Sequence, residues 1–91
     1  MTATVRIPTQ LRSLSGGASE VTLDGATVGD LLKALDAAHP GYAERLFDPA
    51  GKLRRFVNVY VAEEDVRFLQ GLETPVPAGA TLSIVPAVAG G

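Results

Sequence analysis

The chain has 91 residues, a net charge of −2, no cysteine and a single histidine, His39. That length supports one domain, residues 1–91, and a composition of 46% hydrophobic and 20% charged residues suits a small packed core rather than a disordered chain. Without cysteine there is no disulfide scaffold, thiol nucleophile or thiolate metal site, and one imidazole cannot build a histidine metal cluster, so no metal is expected.

The longest basic element is Lys52 with Arg54 and Arg55. It is too short to track phosphates, which argues against a nucleic-acid partner. No apolar run is long enough to span a bilayer, and MTATVRIPTQ lacks the plan of a signal peptide. A cytoplasmic protein with no membrane partner is the expectation. No nucleotide-binding glycine motif and no nucleophile elbow occurs, so side-chain catalysis is poorly provisioned.

In chain order, ATVRIP (3–8) alternates, with Val5 and Ile7 on one face and Thr4 and Arg6 on the other, and Pro8 ends the strand. SLSGGAS (13–19) reads as a turn, and EVTL (20–23) as a second strand with Val21 and Leu23 inward. Asp24-Gly25 breaks the chain, and Thr27 is placed to cap a helix with Asp30 three residues on. Val28, Leu31, Leu32, Leu35 and Ala38 then follow the i, i+3, i+4, i+7 spacing of one buried helix face, ended by Pro40-Gly41. YAERLFD (42–48) is long enough for one further helical turn.

RFVNVYV (55–61) is the strongest strand signal, with Val57, Val59 and Val61 opposite Phe56, Asn58 and Tyr60. AEED (62–65) reads as a polar turn, VRFLQ (66–70) as a short strand, and GLETPVPAG (71–79) as a loop. TLSIVP (81–86) is a last strand with Leu82 and Ile84 inward. One helix covering one face of a mixed sheet of four or five strands is an α+β layout. The other sheet face is expected to be partly open, carrying Phe56, Tyr60 and Val85 as a docking surface.

Residues 86–91, PAVAGG, then form a tail. A main-chain carboxylate is a poor electrophile, but it can attack ATP to give an acyl-adenylate that accepts a nucleophile. An enzyme must thread the tail into its site to do this, and small residues pass a narrow channel with least resistance. Val88, Ala89 and Gly90 suit threading, and Gly91 would carry the reactive carboxylate. Average usage makes a closing Gly-Gly roughly a one-in-two-hundred event.

Together, TVRIPTQLR, GATVGDLLKALDAAHPG, RFVNVYVAEEDVRF and SIVPAVAGG resemble the MoaD/ThiS group of sulfur carriers across the whole chain, and within it the CysO-like carriers of cysteine biosynthesis. One departure is Ala80, where many members carry an aspartate. The resemblance implies a ubiquitin-like β-grasp fold and a carrier with no catalysis or bound cofactor of its own. An E1-like enzyme would adenylate Gly91 with ATP, and a sulfur donor would convert it to a thiocarboxylate. A pyridoxal-phosphate (PLP) dependent cysteine synthase would supply an aminoacrylate acceptor, and a zinc metalloprotease of the JAB/MPN type would release the cysteine. Pro8 and Arg12, after the first strand, join the docking surface on the same basis. A thiocarboxylate is anionic at neutral pH and needs no basic side chain to activate it, which accords with the missing cysteines. The alternatives are the small subunit of molybdopterin synthase, a ubiquitin-like protein modifier joined through Gly91 to lysines, and a plain binding module.

Overall fold

The computed structural model describes residues 2–54 and 57–86. Its strands are β1 (Thr2–Arg6), β2 (Glu20–Asp24), β3 (Val57–Val61), β4 (Glu64–Asp65) and β5 (Thr81–Pro86), and its helices are α1 (Val28–Ala38) and α2 (Tyr42–Leu46). Three short 3₁₀ segments, Thr9–Ser15, Val66–Phe68 and Gly71–Glu73, join them. The sheet order is β2-β1-β5-β3-β4. β1 and β5 run parallel at its centre and the other pairings are antiparallel.

Alternation decides which side chains enter the core. Val5, Val59 and Leu82 point to one face of the sheet and are buried, as are Val28, Leu31, Leu32 and Leu35 of α1, which packs across that face. Ala38, expected to close the helical stripe, is exposed. The helix is already ending there, and the His39 N–H donates to Leu35 O at 2.8 Å. At the other end the Thr27 hydroxyl accepts the Asp30 N–H at 3.2 Å, so the cap expected from sequence is formed.

Asp36 joins α1 to α2. Its Oδ1 accepts the N–H groups of Gly41 at 3.1 Å and Ala43 at 2.9 Å, satisfying donors at the start of α2. Gly41 has φ of 114°, which side chains resist, and a Cβ there would also press on Leu14 Cδ2 at 3.0 Å. Tyr42 is fully buried and its hydroxyl donates to Leu11 O at 2.7 Å, pinning the Thr9–Ser15 segment onto α2.

Four stretches differ from the sequence expectations, the shortest being Glu64–Asp65, expected within a polar turn, which forms β4. The first connection is not only a turn, because Thr9–Ser15 coils into a 3₁₀ segment before Gly16 reverses it at φ of 69°. VRFLQ is not a strand. β4 ends at Asp65, whose carboxylate accepts the Arg67 N–H at 2.8 Å and turns the chain into Val66–Phe68. The 71–79 loop holds Gly71–Glu73 and a β-bridge from Thr27 to Pro75 that straps the start of α1.

The β3–β4 hairpin carries strain. Its two loop residues, Ala62 and Glu63, have φ of 50° and 75°, the sign a two-residue type I′ turn needs and side chains resist. Replacing Glu63 with glycine is expected to raise stability by about 0.5–1 kcal/mol, read from thermal melts. A loss of stability would mean that the Glu63 side chain holds the turn.

Candidate tail-exit groove

β1 ends at Arg6, two residues before Pro8, which has no N–H with which to carry the ladder further. The parallel register runs Thr4 to Thr81, Val5 to Leu82 and Arg6 to Ser83, and goes no further. β5 continues to Pro86 with β3 alone at its side, pairing Val85 with Asn58 and Pro86 with Val57. A groove of about 560 Å³ opens on the abandoned edge, lined by Pro8, Thr9, Arg12, Ser19 and Val85 among others. Five residues follow Pro86 in the sequence, so the tail begins beside this groove.

The groove wall is braced from within. Arg12 Nε donates to Ile7 O at 3.1 Å, which holds the guanidinium where it lines the groove. The Ile7 N–H donates to Ser19 O at 2.8 Å, and the Gly17 N–H donates to Arg12 O at 2.7 Å. Ser15 is buried, and its hydroxyl lies 3.1 Å from Arg12 O and 3.0 Å from Ala18 O, both acceptors for its one proton. Arg6 and Glu20 stand 3.9 Å apart on a largely exposed edge, where an ion pair contributes little.

Of the docking residues expected from sequence, Pro8, Arg12 and Val85 come together at this groove. Tyr60 is half-buried on the open sheet face, paired with Ser83, and is not part of the groove lining. Phe56, Val88, Ala89, Gly90 and Gly91 lie outside the described residues. One row across the strands reads Glu20, Arg6, Ser83, Tyr60, Asp65, with Val85, 46% exposed, the large apolar residue standing out from it. The sequence reading missed Phe68 and Leu69, 87% and 42% exposed. Read as a strand, VRFLQ would have buried alternate residues, so the segment carried no signal for two adjacent exposed ones.

Among the described residues no group of histidine, aspartate and glutamate is placed to hold a metal ion. Among the described residues no helix is long and apolar enough to cross a membrane.

The model of the ThiS family matches residues 5–91. The chain belongs to the ThiS family. It is 50% identical over 93 residues to the sulfur carrier protein CysO of Mycobacterium tuberculosis, with all of both chains covered. The crystal structure of the Amycolatopsis orientalis BexX/CysO complex contains a chain that superposes with a TM-score of 0.92 at 50% identity, covering 98% of this chain and 99% of that one. The crystal structure of the small archaeal modifier protein SAMP1 from Haloferax volcanii matches with a TM-score of 0.85 at 32% identity, covering all of both chains. The fold is therefore the ubiquitin-like β-grasp, and the chain is a sulfur carrier of the CysO/ThiS/MoaD type, a carrier rather than a catalyst.

Proposed function

We propose that this ThiS-family chain carries sulfur on Gly91 for cysteine biosynthesis. In the first step a carboxylate oxygen of Gly91 attacks the α-phosphorus of ATP on an E1-like enzyme, and pyrophosphate leaves. A hydrosulfide-equivalent donor then attacks the acyl carbon, AMP leaves, and a thiocarboxylate remains. The thiocarboxylate sulfur adds to an aminoacrylate supplied by a PLP-dependent cysteine synthase, and the resulting thioester rearranges to an amide that holds cysteine on Gly91. A zinc metalloprotease of the JAB/MPN type hydrolyses that amide, freeing cysteine and restoring the carboxylate. ATP, PLP and zinc all belong to the partners, and the carrier contributes the chain end and its docking surface.

The observation that carries this reading is the groove. β5 delivers the chain at Pro86 beside a braced wall holding Pro8 and Arg12. The five residues beyond it reach at most about 17 Å, enough to enter a partner's site while the domain docks outside. The likeness to CysO at 50% identity supports cysteine as the destination of the sulfur.

Intact mass of the protein purified from its own cells tests the reading. The expected result is a species heavier by the exchange of one oxygen for sulfur, with the increment mapped to the Gly91 peptide and a cysteine adduct when the synthase is active. An unmodified mass in every growth condition overturns it. The likeness to small archaeal modifier proteins favours a second reading, attachment through Gly91 to lysines of other proteins, and its signature is high-molecular-weight conjugates on a denaturing gel.

A further inference from the structure

β1 and β5 are parallel, so the chain that follows each leaves the sheet at the same end. Beyond the Arg6–Ser83 pair one chain turns into the Thr9–Ser15 segment, and the other runs through Val85 and Pro86 into the tail. The groove between them is lined by Arg12 from the first and by Val85 from the second. The charged residues of its lining are Arg6, Arg12 and Glu20, two cations against one anion. Glu20 is the partner of Arg6 across the β1–β2 ladder, their side chains 3.9 Å apart, so the excess positive charge falls on Arg12. Arg12 is held by its Nε bond to Ile7 O at 3.1 Å, and among the described residues nothing accepts from its terminal Nη1 and Nη2 groups. A guanidinium fixed at Nε in this way still presents the planar fork that a carboxylate fits.

The chain itself supplies a carboxylate. Residues 87–91, AVAGG, have no charged side chain, so the charge of that segment is the main-chain carboxylate of Gly91. Five residues span at most about 17 Å, and Val85, next to their origin, shares one groove with Arg12, which puts the guanidinium in range. A tether this short keeps its end at an effective concentration on the order of millimolar. Even the weak attraction of a partly exposed ion pair then fills the site for part of the time.

We propose that Arg12 binds the chain end of its own molecule, with residues 87–91 laid along the groove and the Gly91 carboxylate accepting from Nη1 and Nη2. This rests on Gly91 being the chain end, as the sulfur-carrier reading has it. A thiocarboxylate bears the same single negative charge and is held in the same way. A partner that docks over Pro8 and Arg12 competes with the chain end for the guanidinium, so docking and release of the tail become one event.

The test is NMR on the full-length ¹⁵N-labelled protein without any partner, reading the heteronuclear NOE of the Gly90 amide and the Arg12 Nε–Hε resonance. From about 0.01 M to about 1 M salt the ratio of bound to free tail is expected to fall about two- to fivefold in the parent protein, the size of an exposed ion pair. In Arg12→Gln the Gly90 amide should have its high-salt NOE at every salt concentration. Arg12→Lys keeps the charge without the fork and should retain part of the salt dependence. Because Arg12→Gln also removes the bond to Ile7 O, the parent chain with Gly91 as a C-terminal amide tests the same contact from its other side. There the Arg12 Nε–Hε resonance should lose its response to salt while the fold is untouched. A Gly90 NOE that is the same in the parent, the Arg12→Gln variant and the amidated chain overturns the site and leaves the carrier reading standing. An intact mass showing that the chain from its own cells continues past Gly91 overturns both.

Discussion

Leu32→Ala is expected to lower stability by about 2–5 kcal/mol, the range for deleting a leucine from a packed interior. Leu32 is fully buried on the face of α1 that packs across the sheet, between Leu31 and Leu35 of the same stripe. A domain of this size has roughly 5–15 kcal/mol of stability, so the loss is a large share of the whole. In a thermal melt it corresponds to a fall of roughly 10–40 °C. The core is thin, one helical layer on one sheet, and no second layer can collapse into the cavity. A shift of only a degree or two would mean that α1 does not seal the sheet as described.

Deleting Gly91 is expected to have the opposite profile. Adenylation should fall to background, because the carboxylate would then belong to Gly90, one residue short of the reacting position. Stability should stay where it was. The core residues described end at Ile84, and glycine has no side chain to bury. Pyrophosphate exchange and a thermal melt on the same preparation separate the two effects. Loss of both together would place the tail in the folding unit and contradict a carrier whose chain end is presented to other proteins. Retained exchange would move the chemistry away from Gly91.

How much of this was legible in the residues depends on the range of the interactions involved. The strands of Val5, Val59 and Leu82, the stripe of Leu31, Leu32 and Leu35 and the cap at Thr27 are each decided within a few neighbours and stand as read, while the first strand ends at Arg6, short of Pro8. The helical spacing puts Asp36 outside the buried stripe and does not show that its side chain accepts two bonds. Its acceptors' partners, the N–H groups of Gly41 and Ala43, are placed only once the chain has turned at Gly41. VRFLQ failed for a related reason. Five residues of mixed character fit a strand or a 3₁₀ turn equally well, and the Asp65 side chain settled the matter. The groove is less legible still. Pro8 and Val85 meet only because β1 and β5 are parallel neighbours, a pairing that no local pattern encodes. Strand parity assigns Tyr60 and Val85 to the open sheet face, where both lie, and Phe56 falls outside the described residues.

The position of β5 between β1 and β3 has a mechanical consequence. A partner that draws on the chain end pulls along the axis of a central strand, so tension falls in shear on two flanking ladders at once. A terminal strand at the sheet margin would put the same pull on a single ladder. The domain is therefore built to be tugged by its last residues and to stay folded while that happens.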